Sequence, residues 1–243
     1  MKIIQQSAEL TSITSNVLAL LERCGRVCYK SENKMACDND KCHGGKIWNH
    51  PANEYSDCGV CKERSVVFLQ NIIKHGHESV LEHANASVVL ITDRGISHEI
   101  VRHRICAYSQ ESTRYCNYAS DSGEITVIEP SNLPTDKAWK HWQYSCNCAE
   151  KAYIELLKEE ASPQWARSVL PTCLKTELAM TANFREWRHI LKNRALNRGA
   201  HPQIRELMKL VLDELMKTDA AFIFQDILDE WENEFSTKGE NDE

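Results

Sequence analysis

The sequence of 243 residues has no long apolar run. No stretch approaches the roughly 20 consecutive apolar residues that a membrane-spanning helix needs. The first residues, Met1 to Gln6, also lack the continuous apolar segment of a secretion signal. These absences exclude a transmembrane protein, and they lead us to expect a soluble, cytoplasmic chain with no membrane partner.

Positive charge is also scarce: 29 lysines and arginines stand against 35 aspartates and glutamates, and the formal net charge is −6. Proteins that bind a nucleic-acid polymer usually carry a broad basic face that neutralises the phosphate backbone. We therefore expect no nucleic-acid polymer as a partner. A small phosphorylated ligand remains compatible, because a local group of arginines can hold one phosphate within an acidic protein.

The rest of the composition is that of an ordinary globular protein, with 42% hydrophobic and 26% charged residues. A chain of this length buries a substantial core, and we expect a single domain over residues 1–243. Apolar periodicity predicts helices over 12–24, 64–75, 94–101 and 135–160 and from 201 onward, and it predicts strands over 84–92 and 124–128. The first helix is predicted to end near Gly25.

Eleven cysteines without a secretion signal point to a reducing compartment, where disulfides are uncommon. Residues 34–62 are polar, with few aliphatic side chains. Such a segment needs a metal ion or a covalent cross-link if it is to fold. Its C-x4-C and C-x2-C pairs, about fifteen residues apart, have the spacing of a structural zinc site. That interpretation makes ligands of Cys37, Cys42, Cys58 and Cys61, with His43 or His50 as a substitute for one of them. Unligated thiols in a loop and a disulfide are the alternatives.

The stretch from Arg102 to Tyr115 is too polar for a core segment, with three arginines, a histidine, hydroxyls, an amide and a carboxylate. Its pattern is R-H-R, seven residues, Ser112, and then Arg114. Arginine grips phosphate through a planar fork, and serine and glutamine add neutral hydrogen bonds. The stretch therefore favours an anionic, nucleotide-like ligand over the alternative of a solvated salt-bridge surface.

Two further stretches flank this one, one before it and one after it in the sequence. The segment His77-Glu78-Ser79-Val80-Leu81-Glu82-His83 comes before it, and Arg167-Ser168-Val169-Leu170-Pro171 followed by Thr181-Ala182-Asn183-Phe184-Arg185 comes after it. Together the three stretches resemble the flavin-dependent thymidylate synthases, with their G-H-E-[ST]-x-x-E-H, RHR-x7-S and T-x-N-x-R elements. The resemblance covers about residues 20–33 and 64–210. Residues 34–62 then look like an insertion in the domain.

The resemblance implies a fold and an activity. The fold is α/β (α+β), with a central sheet flanked by helices. The activity is reductive methylation of dUMP to dTMP, with methylenetetrahydrofolate as carbon donor and NADPH-reduced FAD as hydride source. The implied assembly is a homotetramer whose active sites lie between subunits.

The resemblance also implies roles for individual residues. Arg194 would lie at the uracil edge and His77 near the flavin ring, and both would take part in catalysis. The flavin would be held by Ser79, Arg102, His103, Arg104, Ile105, Gln110, Asn183, Arg185 and His189. The deoxyuridylate would be held by Glu99, Arg102, Gln110, Glu111, Ser112, Thr113, Arg114, Arg167 and Arg194, with Arg167 coming from a neighbouring subunit.

Two departures from the family pattern lie near the end of the resemblance. Asn193 stands where the family usually has leucine, and the segment 195–200 is one residue longer than in some relatives, so the roles of Arg198 and His201 stay open. Cys106 and Cys116 show no base partner in their spacing, so no activated thiol nucleophile is predicted.

The rival interpretations are a zinc-stabilised nucleotide- or RNA-binding protein without catalysis, and another flavin- or folate-using nucleotide methylase.

Overall fold

The computed structural model describes residues 1–31, 34, 59–118 and 123–236. Within these residues the strands form a four-stranded antiparallel sheet of order β2-β3-β6-β4 and a two-stranded parallel sheet of β1 and β5. Their bounds are β1 (Lys2–Ile4), β2 (Ser7–Ile13), β3 (Asn85–Asp93), β4 (Ala107–Gln110), β5 (Thr126–Ile128) and β6 (Lys175–Asn183).

The central pair of strands, β3 and β6, runs in full register from Asn85 opposite Asn183 to Asp93 opposite Lys175. Alternate side chains of both strands are buried, as expected for an antiparallel sheet with one face on a core. Strand β4 pairs only with β6 and forms an edge of the sheet. It is four residues long, and short edge strands are a common way to limit unwanted pairing.

Helices cover this sheet and complete the core. Their bounds are α1 (Val17–Tyr29), α2 (Gly59–Lys74), α3 (Arg94–Ile100), α4 (Asp136–Lys158), α5 (Pro163–Ala166), α6 (Phe184–Leu191), α7 (Pro202–Met216) and α8 (Gln225–Trp231). Short 3-10 helices span Glu78–His83, Arg167–Val169 and Ala221–Ile223, and π-helical turns span Lys192–Leu196 and Glu232–Ser236. The architecture confirms the expected mixed fold of sheet and flanking helices.

The core has two parts. The larger cluster joins the inward side chains of β3 and β6 to α1, α2, α6 and α7, with Trp187 and Phe184 fully buried at its centre. The smaller cluster lies around β5 and α4, with Val127 and Tyr153 fully buried. An isolated antiparallel bridge between Val127 and Leu174 ties β5 to the segment before β6. Among the described helices, none combines the length and the apolar character that crossing a membrane requires.

The predicted first helix was wrong at both ends. Residues 12 and 13 belong to β2, and α1 begins at Val17 and continues through Gly25 to Tyr29. Gly25 lies inside the helix, and its missing side chain leaves room for α2. A Cβ at this position would lie 2.7 Å from Ile72 Cδ1 and 2.8 Å from Phe68 Cε1.

The second helix begins earlier than predicted. Helix α2 starts at Gly59, so Cys61, which the sequence places in the insertion, lies in its first turn with a buried side chain. Its carbonyl oxygen accepts a hydrogen bond from Ser65 Oγ at 2.8 Å. The other three predicted zinc ligands, Cys37, Cys42 and Cys58, lie outside the described residues, as do His43 and His50.

Candidate functional site

Arg194 lies at the centre of a polar cluster that joins two separate parts of the chain, residues 99–103 and 186–194. It sits in the π-helical turn that follows α6. Its Nη1 donates to Glu99 Oε2 at 2.9 Å, at the end of α3, and its Nε donates to His103 Nε2 at 3.2 Å. Arg194, Glu99 and His103 are all predicted site residues, and the fold brings them together.

His103 is enclosed by charged and polar neighbours. Its Nδ1 lies 3.7 Å from Glu186 Oε1, and its ring meets the ring of His189 edge-on, with centroids 6.0 Å apart. Burial, followed by the charges of Arg194 and His189, lowers the pKa of His103 from 6.5 to about 4. The imidazole is therefore neutral at neutral pH. Because Nε2 accepts from Arg194, the single ring proton belongs on Nδ1 and faces Glu186.

Within the described part of the chain, His103, Glu186 and His189 form a cluster whose ligand-type atoms all lie within 4.8 Å of one another. Two imidazoles and one carboxylate are a donor set that can hold a divalent transition metal. The neighbouring Arg194 counts against that use, because its guanidinium already occupies the Nε2 lone pair of His103 and would repel a dication. We interpret the cluster as a hydrogen-bonding and electrostatic environment.

A cleft of about 440 Å³ opens beside this cluster. Arg185 in its wall pairs with Glu82 from the 3-10 helix Glu78–His83. Ile105, at 70% exposure, supplies an apolar surface at the cleft. The volume lies in the range of small-molecule and cofactor pockets. The lining residues are Glu82, Ile105, Asn183, Arg185, Glu186 and His189.

Asn183 connects the sheet to this cleft. It is the last residue of β6, and its Oδ1 accepts from the backbone N–H of Glu186 at 2.8 Å, which caps α6. The cap satisfies one of the free N–H groups at the start of α6. It also fixes the direction in which Arg185 and Glu186 leave the sheet.

Two signature arginines carry no acidic partner among the residues that the structure describes. Arg102 and Arg104 are exposed, and neither makes an ion pair within the described residues. Arg114 is also exposed, with its guanidinium 5.5 Å above the ring of Tyr115. A guanidinium without a carboxylate partner keeps its full fork available to an anion.

A second polar cluster lies at the other end of β4. Arg167 Nη1 donates to Thr113 Oγ1 at 3.0 Å, so two predicted deoxyuridylate residues meet within one subunit. The neighbouring Ser112 Oγ accepts from the backbone N–H of Arg114 at 3.3 Å. Strand β4 and helix α3 lie between this cluster and the one around Arg194.

Gln110 and Glu111 are engaged by the protein itself. Gln110 donates to Ser97 Oγ at 2.9 Å and to Thr176 Oγ1 at 3.1 Å. The Glu111 carboxylate accepts from the Tyr118 hydroxyl at 2.6 Å and from Lys175 Nζ at 2.9 Å. Burial, together with the hydrogen bond to Glu111, raises the pKa of Tyr118. These contacts hold the signature segment against the start of β6.

The predicted catalytic residue His77 lines a different cavity. Its Nδ1 lies 2.6 Å from the hydroxyl of Tyr29, at the end of α1. The cavity has a volume of about 480 Å³ and includes Arg26 and Phe68 in its walls. Ser79 is exposed on the adjacent 3-10 helix, whose Glu82 reaches the first cleft through Arg185.

Three residues near the end of the family resemblance have structural partners. Arg198 pairs with Glu234, and His201 Nδ1 accepts from the backbone N–H of Gln203 at 3.2 Å, which caps α7. Asn193 Nδ2 donates to the carbonyl oxygen of His189 at 2.9 Å and also contacts the His189 ring.

Glu186, the buried carboxylate that faces His103, is absent from the residues predicted from the sequence. Burial raises its pKa. One glutamate between an arginine and a tryptophan carries no signal that separates it from a solvated helix residue. Its place in the cleft follows from the α6 cap at Asn183.

The sequence matches a family model, and it is also similar to individual proteins. The family model described as "Thymidylate synthase complementing protein" matches residues 9–219. A protein of Pyrococcus abyssi named flavin-dependent thymidylate synthase is 33% identical over 153 residues, which cover 62% of this chain and 62% of that protein. The match thus spans less than two thirds of that relative's length.

Two further relatives carry the same name. The protein from Geobacter sulfurreducens is 36% identical over 160 residues, covering 65% of this chain and 68% of the relative. The protein from Mycobacterium sp. (strain JLS) is 30% identical over 229 residues, covering 86% of this chain and 79% of the relative.

A solved structure also matches. It is the UMP/dUMP methylase PolB from Streptomyces cacaoi bound with 5-Br dUMP, which superposes with a TM-score of 0.69 over 93% of this chain and 97% of that one. The two sequences are 18% identical, so the likeness shows a shared fold.

Proposed function

Since the chain belongs to the thymidylate synthase complementing protein family, we propose that it is a flavin-dependent thymidylate synthase. The reaction converts dUMP to dTMP, with methylenetetrahydrofolate as carbon donor, FAD as cofactor and NADPH as reductant. Reduced flavin supplies the hydride when it is bound, so the hardest chemistry belongs to the cofactor. The protein's residues bind, orient and stabilise charge.

The observation that carries the proposal is the placement of Arg194. Its guanidinium is fixed by the Glu99 carboxylate and by a neutral His103, beside a cleft of cofactor size. A guanidinium held in this way can stabilise negative charge on a uracil oxygen or on deprotonated N3, which raises electron density at C5. A protonated His103 would compete with Arg194 for the negative charge on the uracil. The lowered pKa of His103 prevents this at neutral pH.

The flavin is proposed to lie in the cleft beside His103 and His189. Ile105 offers an apolar face to a ring system, and Arg185 and Asn183 offer polar contacts to a nucleotide. Arg102 and Arg104, exposed and without acidic partners in the described ranges, suit phosphate groups. Ser79 is proposed to join this site from the 3-10 helix that carries Glu82.

The deoxyuridylate phosphate is proposed to bind near Arg167 and Arg114. Arg167 already donates to Thr113, and the backbone around Ser112 is turned so that its hydroxyl accepts from Arg114 N–H. The uracil would lie toward Arg194 and Glu99. His77 lines a separate cavity with Tyr29, so its proposed role near the flavin ring requires a flavin that extends beyond the cleft of His103 and His189.

An anaerobic assay tests the proposal. Purified protein is loaded with FAD, reduced with NADPH and mixed with dUMP and methylenetetrahydrofolate, and flavin absorbance and thymidylate are followed. We expect flavin reoxidation together with thymidylate formation. Protein that retains no flavin and forms no thymidylate would support a non-catalytic nucleotide-binding protein instead. Reoxidation by UMP rather than dUMP would indicate another nucleotide methylase.

A structural zinc ion is proposed for residues 34–62. The support is the C-x4-C and C-x2-C spacing, because thiolates at this spacing close a tetrahedral site. Cys61 supplies its thiol from the first turn of α2. Metal analysis should find close to one zinc per chain, and a strong chelator should reduce folding. Much less than about half an equivalent, with no effect of the chelator, would reject the site.

A homotetramer in the cytoplasm is proposed as the working form. The support is the family resemblance, together with exposed apolar side chains near both polar clusters. Ile105 lies beside the Arg194 cluster, and Tyr115 and Trp165 lie near Arg114 and Arg167 in sequence, at 79% and 72% exposure. Light scattering on a size-exclusion column measures the mass, and a monomer at micromolar concentration would contradict the proposal.

A further inference from the structure

Two cysteines outside the proposed active site lie in contact. Cys146 is in the middle of α4, and Cys173 is in the turn just before β6. Their sulfur atoms are 3.4 Å apart, and both are free thiols. The sequence separation of 27 residues means that the tertiary fold, rather than local geometry, brings them together.

The two thiols differ in access. Cys146 is 2% exposed within the smaller core cluster, whereas Cys173 is only partly buried. The hydrogen bond from Cys146, with a further one from Trp142, lowers the pKa of Cys173, and the same pairing raises the pKa of Cys146. Cys173 is therefore the more reachable sulfur, and Cys146 is shielded behind it. This asymmetry is that of an attacking thiol and a resolving thiol.

We propose that Cys146 and Cys173 form a redox-active dithiol, which a small hydroperoxide converts to an intramolecular disulfide. Cys173 gives up its proton and its sulfur attacks the peroxide oxygen, the O–O bond breaks, and Cys173 becomes a sulfenic acid while the departing oxygen takes that proton and leaves as water or an alcohol. Cys146 sulfur then attacks the sulfenic sulfur, and the hydroxyl leaves as water with the proton of Cys146. Two thiols are oxidised, the peroxide is reduced, and an external thiol restores the pair by exchange.

The geometry needs only a small adjustment. A disulfide has a sulfur separation of about 2.05 Å, so the two sulfurs must approach by about 1.4 Å. Cys173 lies in a turn, where its carbonyl oxygen accepts from the backbone N–H of Ile128 at 2.9 Å, so the approach falls on the side chains. That turn also holds the start of α3, because Thr172 and Leu174 carbonyl oxygens accept from the backbone N–H groups of Gly95 and Arg94. The disulfide would therefore fix the segment from which α3 starts.

Thiol mapping tests the proposal on the whole protein. Reduced protein is treated with hydrogen peroxide, remaining thiols are alkylated, and tryptic peptides are analysed by mass spectrometry. We expect a cross-linked pair, residues 141–151 with residues 168–175, whose mass is lower by two hydrogen atoms than the sum of the two peptides. Dithiothreitol should release it.

The matched control is Cys148, an exposed cysteine two residues from Cys146 and in the same tryptic peptide. Cys148→Ser should leave the cross-link unchanged, and Cys146→Ser should abolish it. Two outcomes would overturn the proposal: peroxide oxidises Cys148 in the wild-type protein while no cross-link forms, or the cross-link persists in Cys146→Ser. The measurement needs no enzymatic activity, so it is independent of the proposed synthase reaction.

Discussion

Arg194 is held by two partners of different charge. Glu99 supplies a carboxylate at 2.9 Å, and His103 supplies a neutral nitrogen at 3.2 Å. The carboxylate fixes the guanidinium when no substrate is present, and the neutral imidazole adds orientation without neutralising the cation. A substrate that develops negative charge therefore shares the Arg194 guanidinium with Glu99, and His103 takes none of its charge.

Replacing this arginine should remove most of the activity. We expect Arg194→Ala to lower kcat by about 100- to 1000-fold, the usual loss when one preorganised charge-stabilising donor is removed. Arg194→Lys keeps the charge but cannot reach Glu99 and His103 together, so it should recover only part of the rate. Cys106→Ala is the control, because no thiol nucleophile is proposed, and it should retain substantial activity. Loss of activity in Cys106→Ala with little change in Arg194→Ala would reverse the assignment.

The low pKa of His103 should appear in the pH dependence of stability. The folded protein holds His103 neutral down to about pH 4, whereas the unfolded chain binds a proton near pH 6.5. The unfolded state therefore binds more protons between these values, and the free energy of unfolding falls as pH drops from 6.5 toward 4. We expect this residue to contribute a loss of about 2 kcal/mol by roughly pH 5.

Urea unfolding at pH 7 and pH 5 measures this effect. His103→Gln is the control, because its side-chain oxygen can still accept from Arg194 but does not titrate. Its free energy of unfolding should fall less than that of the wild type over the same interval. Parallel pH profiles for the two proteins would show that His103 titrates normally.

Most residues of the Arg194 cluster are predictable from the motif stretches alone. The family resemblance points to Arg194, Glu99 and His103, and the three side chains meet in the fold. The partners that tune them carry no comparable signal. Glu186 and Tyr29 have ordinary sequence surroundings, and they face His103 and His77 only because of where α6 begins and α1 ends.

Strand β6 has a sequence pattern that is compatible with both a strand and a helix. Leu178, Met180 and Ala182 alternate inward as in a half-buried strand. Leucine, methionine, alanine and glutamate also have high helix propensity, so local composition opposes the strand pattern. Pairing with β3 over nine residues decides the outcome. Tertiary contacts of this kind leave no mark within the segment itself.

Gly25 shows the opposite case, a residue whose usual meaning misleads the prediction. A glycine inside an exposed helix weakens it by roughly 0.5–1 kcal/mol relative to alanine. Here the position faces Phe68 and Ile72 of α2 at distances too short for a methyl group. The helix keeps the glycine because the close approach of α1 and α2 depends on it.

Helix propensity and steric crowding therefore predict changes of opposite sign in the stability of Gly25→Ala. If helix propensity dominated, the variant would be more stable than the wild type. We expect instead a destabilisation of about 1–3 kcal/mol, because the new methyl group must push Phe68 and Ile72 aside. Chemical denaturation provides the measurement. Ala19→Gly in the same helix measures the effect of helix propensity alone, and it should lower the free energy of unfolding by roughly 1 kcal/mol.

The residues of the proposed site lie in two clusters along the β4 edge of the sheet. Glu99 and Arg194 lie near the C-terminal end of α3. Thr113 and Arg167 lie beyond the C-terminal end of β4. Helix α3 has seven residues, so it spans roughly 10 Å. Edge strand β4 and the exposed Ile105, Tyr115 and Trp165 offer surface between and around the two clusters. A neighbouring subunit packed on this edge would bring its own Arg167 cluster to the Arg194 cluster of the first.

Mixing two inactive variants tests this division of the active site. Arg194→Ala and Arg167→Ala should each be nearly inactive alone. If each site takes Arg194 from one subunit and Arg167 from its neighbour, random tetramers formed from equal amounts carry both wild-type residues at about a quarter of their sites. We therefore expect activity to return to about a quarter of the wild-type rate after the variants are unfolded and refolded together. If both residues serve one site within one subunit, every site keeps one defect, and the mixture stays as inactive as its components.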